Sequence, residues 1–126
     1  MRLLLDTNAL IWTLIESKRL SSEAANVIED ESNEVFVSVV SAWEIGVKRA
    51  KGRLEMPSAL GPMLAETRFE ALPVTLEHAL AVESLPHRHH DPFDRILVAQ
   101  AQLENLVLVT SDRAMRRYPI AVLPAI

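Results

Sequence analysis

Three short, continuously apolar runs constrain the fold of this chain more than any other feature. They cover residues 2–6, 35–40 and 106–110, and each leads into a helix-like segment that carries an acid near its start. Such runs are typical of strands that are covered on both faces in a parallel sheet. Because strands alternate with helices, the sequence predicts an α/β protein with a mainly parallel central sheet flanked by helices.

The strongest helix signal begins at Asp91. The Asp91 carboxylate can accept hydrogen bonds from the free N–H groups of a first turn, and Pro92 suits the first helical position because its missing donor costs nothing there. Apolar residues then recur at helical spacing. Asp94 shares a helix face with Leu97, so its carboxylate should point into the core or a cleft. A carboxylate there is costly unless it is paired, hydrogen-bonded or bound to a metal.

Three other acids each open a helix just after a predicted strand: Asp6, Glu44 and Asp112. The carboxyl ends of parallel strands lie along one edge of a sheet, where open α/β sheets bind ligands. The three acids should therefore share one rim, and Asp94 joins them if its helix starts there. Four carboxylates in one pocket would raise one another's pKa values, and a divalent cation would remove that penalty. All-oxygen ligation suits Mg²⁺ or Mn²⁺.

Each acid also has a purely structural interpretation. Asp94 can complete a capping box with Asp91 at the positive end of its helix. Glu44 can form a capping box with Ser41 or an ion pair with Lys48, four residues further on. The two remaining acids can be ordinary first-turn residues. The metal-site interpretation therefore depends on whether the acids converge.

Composition limits the function further. The 126 residues suffice for one domain with a real core, and no linker divides them, so a single domain over 1–126 is predicted. The absence of cysteine excludes disulfides and thiolate zinc sites. No run approaches the roughly 18 apolar residues of a membrane span, and the cytoplasm is predicted. The net charge of −4 opposes broad electrostatic binding of nucleic acid unless cations occupy the acids.

Four short motifs follow one another between residues 5 and 112. They are Leu5-Asp6-Thr7-Asn8, Ser41-Ala42-Trp43-Glu44-Ile45 with Lys48, His90-Asp91-Pro92-Phe93-Asp94-Arg95 with Ala99-Gln100-Ala101, and Val109-Thr110-Ser111-Asp112. Each motif is weak alone, but the ordered set is highly specific. Together they resemble the PIN-domain ribonucleases, specifically the VapC-like toxins of toxin–antitoxin pairs.

The resemblance implies a PIN-like three-layer α/β/α fold and a Mg²⁺- or Mn²⁺-dependent endoribonuclease that hydrolyses RNA phosphodiester bonds with a metal-activated water. It implies that the catalytic and metal-site acids are Asp6, Glu44, Asp94 and Asp112. The groups that would orient these carboxylates or a metal-bound water are Thr7, Asn8, Thr110 and Ser111. It also implies a homodimer that is inhibited by a small antitoxin protein.

The loop before Asp91 and the neighbouring helix starts carry further charges. Candidate contacts to RNA phosphates are Arg88, Arg95 and Arg113, which are equally explained as solvated helix-end charges. The histidines near Arg88 can ligate transition metals, but a solvated, partly cationic rim is the preferred interpretation.

Rival interpretations remain open on sequence grounds. A catalytically silent, partner-binding α/β domain would use its acids only as helix caps. A phosphatase of the haloacid-dehalogenase type would place a second Asp two residues after the first, where Asn8 stands here. A phosphate-receiver domain would need an acidic pair after the first strand and a late lysine, and arginines follow the last long strand instead.

Overall fold

A parallel sheet forms the centre of the fold. The computed structural model describes residues 1–87 and 91–126, and within them five strands form a single sheet in which every neighbouring pair is parallel. In spatial order the strands are β3 (Glu70–Leu72), β2 (Glu34–Ser38), β1 (Arg2–Leu5), β4 (Val107–Thr110) and β5 (Val122–Pro124). The parallel sheet predicted from the sequence is confirmed.

Helices cover both faces of this sheet. The described residues form α1 (Thr7–Ile15), α2 (Ser22–Glu29), α3 (Val39–Ala50), α4 (Leu60–Ala65), α5 (Leu76–Ala81) and α6 (Pro92–Glu104). Leu3 and Leu5 pack into one core with α1 and α2, whereas Leu4 packs into a second core with α6, because successive strand residues point to opposite faces. The result is a three-layer α/β/α fold. Among the described residues, no helix has both the length and the apolar character needed to cross a membrane.

The strand order reverses beside β1. β2 and β3 extend the sheet to one side, and β4 and β5 extend it to the other. β1 is in register with both neighbours, and Leu5 aligns with Val37 and with Val109. A crevice forms outside the carboxyl ends of the strands at such a reversal, and open α/β sheets bind their ligands there.

The predicted start of α6 is confirmed. The Asp91 carboxylate accepts hydrogen bonds from the N–H groups of Phe93 at 2.9 Å and Asp94 at 3.4 Å, and Pro92 occupies the first turn. The helix ends at Asn105, whose φ of 54° is left-handed and closes the last turn. α6 therefore presents its N-terminus, with its first acid, toward the crevice side of the sheet.

The fourth α-helix is shorter than its sequence suggests. A helix from Met56 to about Phe69 is predicted, but α4 covers only Leu60–Ala65. Proline is tolerated in the first helical turn alone, so Pro62 prevents the helix from starting earlier. The hydroxyl of Thr67 then donates a hydrogen bond to the Leu64 carbonyl at 2.7 Å, which stabilises the C-terminal end of this helix.

The position of Gln100 in α6 also differs from the predicted one. The helical pattern puts it at the surface, yet it is fully buried because α5 packs against α6. Its side-chain nitrogen donates to the Pro73 carbonyl at 3.3 Å and lies 3.4 Å from Nδ1 of His78. This polar contact is part of the packing between the two helices.

Candidate active site

A pocket of about 200 Å³ lies at the carboxyl ends of β1 and β4. The described residues that line it are Asp6, Thr7, Asn8, Glu44, Lys48, Asp91, Asp94 and Asp112. All four acids that the sequence singled out therefore open onto one pocket. It lies where the strand order reverses, because Asp6 directly follows β1 and Asp112 is two residues beyond β4.

Asp6 is the most constrained of these acids. It is 4% exposed, and its Oδ1 accepts a hydrogen bond from the N–H of Ala9 at 2.8 Å, so Asp6 itself caps α1. Its own N–H donates to the Val109 carbonyl at 3.0 Å, which fixes it between β1 and β4.

Burial raises the pKa of Asp6 from 3.8 to about 6. Hydrogen bonds from the Thr110 side chain and the Ala9 backbone oppose this rise in pKa, whereas the nearby charges of Asp112 and Glu44 add to it. Ionisation of the buried Asp6 is thus costly, and the neighbouring carboxylates increase this cost. A cation in the pocket would relieve this cost.

Glu44 is held by contacts to both of its carboxylate oxygens. The Thr7 hydroxyl donates to Oε1 at 2.6 Å, and Nζ of Lys48 lies 2.8 Å from Oε2. The predicted pairing with Lys48 is therefore confirmed. The predicted capping box with Ser41 is wrong, because α3 begins earlier and is capped by Ser38. Ser41 instead lies inside the helix, with its Oγ 3.1 Å from the Thr7 hydroxyl.

Asp112 combines a structural role with a place in the pocket. Its carboxylate accepts a hydrogen bond from the N–H of Ala114 at 2.9 Å and caps a short 3₁₀ helix over Arg113–Arg117. Its N–H donates to Oγ1 of Thr110 at 3.0 Å. Thr110 thus contacts two of the pocket acids, since its side chain also hydrogen-bonds Asp6.

The other residues that are predicted to orient the carboxylates differ in their burial and in whether they line the pocket. Thr7 is buried and contacts Glu44, and Asn8 is exposed and lines the pocket. Ser111 is half-buried and is not among the described lining residues, and the short helix is capped by Asp112 in its place. Asp91, which the sequence predicts as a helix cap, also lines the pocket while it caps α6.

The three candidate RNA-contacting arginines lie in different surroundings. Arg95 is tied to the protein, because its guanidinium donates to the carbonyls of Val82 at 2.9 Å and Pro86 at 3.1 Å and to the Tyr118 hydroxyl at 3.2 Å. Arg113 is exposed and lies outside the described pocket lining. The prediction for Arg88, like those for the two histidines after it, falls outside the described residues.

The chemistry of the pocket suits a hard divalent cation. Its acidic donors are all carboxylate oxygens, and the charges of Asp112 and Glu44 add to the rise that burial causes in the pKa of Asp6. Within 1–87 and 91–126, however, no three His, Asp or Glu side chains are placed closely enough to hold one ion. The described acids therefore share the pocket without forming a closed ligand set, and capping engages one carboxylate oxygen each of Asp6 and Asp112.

The sequence model of the PIN domain matches residues 3–121, nearly the whole chain, and the chain therefore belongs to the PIN domain family. The predicted family resemblance is confirmed, and the phosphatase and receiver interpretations no longer apply. Among characterised proteins, the chain is similar to Ribonuclease VapC22 of Mycobacterium tuberculosis (strain ATCC 25618 / H37Rv). The two are 28% identical over 118 residues, which cover 91% of this chain and 90% of the relative.

Solved structures share the fold. The crystal structure of VapBC2 from Rickettsia felis, bound to a DNA fragment from their promoter, has a TM-score of 0.75 and 20% identity and covers 98% of both chains. A toxin–antitoxin complex from Klebsiella pneumoniae has a TM-score of 0.66 and 20% identity, again over 98% of both chains. These likenesses support the three-layer α/β/α architecture.

Proposed function

We propose that this chain is a divalent-metal-dependent endoribonuclease that acts as the toxin of a toxin–antitoxin pair. The observation that carries the proposal is the convergence of Asp6, Glu44, Asp94 and Asp112 on one pocket at the reversal of the strand order. Membership of the PIN domain family and similarity to a protein named as a ribonuclease support it. The catalytic roles of the individual residues stay predictions.

Asp6 and Asp94 would hold the metal, and Asp112 would join them directly or through a water. A bound Mg²⁺ or Mn²⁺ would supply activation of water and neutralisation of phosphate charge. Asp6 would bind in its deprotonated form, since metal ligation requires the carboxylate.

Glu44 would orient the attacking water. Its carboxylate is fixed by Thr7 at 2.6 Å and by Lys48 at 2.8 Å, which favours this role over direct ligation. Thr110 would keep Asp6 and Asp112 in mutual orientation, because its hydroxyl contacts both. Asn8, exposed at the rim, is available to the substrate.

The protein partners would be an antitoxin and a second copy of the chain. The similar solved structures are a VapBC assembly and a toxin–antitoxin complex, which supports an antitoxin as partner. On α5, Leu76 is 74% exposed and Leu80 is 61% exposed one turn later, so this short helix offers an apolar face for dimer formation. Light scattering of the purified protein and of Leu80→Glu would show whether a dimer exists and whether this face forms it.

The central experiment compares RNA cleavage by wild-type protein and by Asp94→Asn. Purified protein is incubated with cellular RNA in Mg²⁺, in Mn²⁺ and in EDTA, and Glu23→Gln, an exposed carboxylate outside the pocket, serves as the matched control. Cleavage that requires metal, persists in Glu23→Gln and disappears in Asp94→Asn is expected. RNA left intact by folded, partner-free wild-type protein would instead favour the partner-binding interpretation.

A further inference from the structure

Two aromatic side chains meet beside the carboxylate pocket. The rings of Trp43 in α3 and Phe93 in α6 pack edge to face, with centroids 4.9 Å apart and an interplanar angle of 77°. Each residue immediately precedes a pocket acid, since Trp43 is followed by Glu44 and Phe93 by Asp94. The pair therefore bridges the two helices at the point where they supply these acids.

Trp43 contributes little to the core and is open to solvent. It is 63% exposed, whereas the second tryptophan, Trp12, is 8% exposed and belongs to the core. Phe93 is half-buried and packs against the core on the α6 side of the sheet. An exposed indole that is held by an anchored ring is preorganised to stack on a flat ligand with little loss of side-chain freedom.

The charges around the pocket favour a ligand contact that is not electrostatic. Lys48 is the cation among the described lining residues, and it is paired with Glu44 at 2.8 Å. The Arg95 guanidinium is occupied by protein acceptors, and the formal net charge of the chain is −4. Phosphate contacts from these groups would add little affinity, whereas stacking of a base on an aromatic ring does not depend on phosphate charge.

We propose that Trp43, supported by Phe93, is a stacking platform for an unpaired RNA base next to the phosphodiester bond that is cut. This inference rests on the proposed ribonuclease function and identifies single-stranded RNA as the form of substrate. Stacking uses the π-face that every base possesses, so the platform accepts different bases but requires one that is free of a duplex.

Binding is tested first in EDTA, by the intrinsic fluorescence of Trp43. A short single-stranded RNA oligonucleotide of mixed sequence should quench the emission, and the same sequence annealed to its complement should quench it much less. Trp43→Phe provides the matched control, because it leaves the buried Trp12 as the only tryptophan and the emission is excited selectively at tryptophan. The quenching should be absent in this variant.

Kinetics then separate stacking from general apolarity. Trp43→Leu keeps an apolar side chain without a π-face and should raise KM for single-stranded RNA about tenfold, with kcat little changed. Trp43→Phe should retain most of the wild-type affinity. Val39→Ala removes apolar surface from a 48% exposed position one turn earlier on α3 and should leave KM unchanged.

The outcomes distinguish this inference from the proposed function. Metal-dependent cleavage with an unchanged KM in Trp43→Leu would overturn the platform and leave the nuclease intact. Quenching of Trp43 by RNA without any cleavage in Mg²⁺ or Mn²⁺ would retain Trp43 as a base-stacking residue but overturn the nuclease, and with it the placement of the platform beside a bond that is cut. Loss of binding to a protein partner in both Trp43→Leu and Val39→Ala, with KM for RNA unaffected, would assign this surface to that partner and refute RNA stacking.

Discussion

The hydroxyl of Thr7 donates a hydrogen bond to Oε1 of Glu44 across 2.6 Å. This contact joins the residue that follows Asp6 to the helix that carries a second buried carboxylate. It also brings the polar groups of α1 and α3 together at the floor of the pocket, since Ser41 Oγ lies 3.1 Å from the same hydroxyl.

Thr7→Val should therefore weaken both stability and activity. The substitution keeps the shape of the side chain but leaves Oε1 of Glu44 without its donor, and an unsatisfied buried acceptor costs about 1–3 kcal/mol. We expect the free energy of unfolding in urea to fall by that amount and cleavage to fall at least severalfold. Thr7→Ser, which keeps the hydroxyl, should remain close to wild type. Equal effects of Val and Ser would show that the hydrogen bond is not what matters.

The stability of the metal-free protein should depend on pH through Asp6. Its pKa is about 6 in the folded protein and 3.8 in the reference state, so the folded chain retains a proton that the unfolded chain releases between these values. The contribution of Asp6 is thus fully present below the lower of these pKa values, and on the order of 3 kcal/mol is lost as pH rises between them, with little further change above about 6.

Asp6→Asn isolates this contribution from all other titrations. Its amide oxygen can still accept the hydrogen bond from Ala9, but it cannot ionise. Urea unfolding of both proteins in EDTA, from pH 4.5 to 7.5, should show the variant gaining stability relative to wild type as pH rises. A difference that stays constant over this range would contradict the raised pKa.

Divalent metal should stabilise the wild-type protein and lose this effect when a ligand is removed. Saturating Mg²⁺ or Mn²⁺ should raise the Tm, because an ion that binds only the folded state shifts the folding equilibrium. The rise should grow between pH 5 and 7 as Asp6 loses its proton, and it should largely vanish in Asp94→Asn. Thermal melts measure this rise in Tm, with Glu23→Gln as the matched control. An equally large rise in Asp94→Asn would exclude Asp94 as a metal ligand.

Arg95 should prove to be a structural residue. Arg95→Met removes the donors to Val82, Pro86 and Tyr118, which should lower the free energy of unfolding by about 2 kcal/mol. KM for RNA should be unchanged in the folded fraction. The exposed Arg113→Met should leave stability unaltered. If Arg95→Met has wild-type stability and a raised KM for RNA, Arg95 contacts the RNA phosphates after all.

Two variants of Asp91 test whether this pocket-lining acid acts only as a helix cap. Asp91→Ser retains an N-cap acceptor for α6 and should keep both stability and cleavage near wild type. Asp91→Ala removes the acceptor and should cost about 1 kcal/mol of stability. Circular dichroism melts and cleavage assays on the two variants separate these effects. If Asp91→Ser is stable but inactive, Asp91 belongs with the metal-site acids.

Sequence reasoning was most successful where local chemistry determined the structure. The apolar strand residues around Leu4 and the cap at Asp91 followed by Pro92 were readable directly, because burial on two faces and helix capping both leave a local pattern. The prediction that Asp6, Glu44 and Asp112 would share a pocket followed from the parallel sheet, since it places the carboxyl ends of its strands at one edge. For Asp94 the prediction depended in addition on where its helix begins, because a loop and not a strand precedes it.

Features that depend on tertiary packing could not be predicted from the sequence. Ser38 rather than Ser41 caps α3, because β2 ends two residues sooner than its apolar run. Gln100 is buried because α5 covers it, and nothing in the helical pattern of α6 signals that neighbour. The sequence made Arg95 a candidate for contact with RNA phosphate. Only the fold shows that its guanidinium donates hydrogen bonds to three protein acceptors.

The arrangement of the central strand has a consequence for biosynthesis. Leu3 pairs with Val107, so β1 gains its second neighbour only after the chain has been made as far as β4. Asp6 and Asp112, its companion across the crevice, are likewise made far apart in time because most of the domain separates them in sequence. A nascent chain thus cannot assemble the acidic pocket before Asp112 has emerged from the ribosome. If the protein cuts RNA, this topology delays its activity until that point of synthesis.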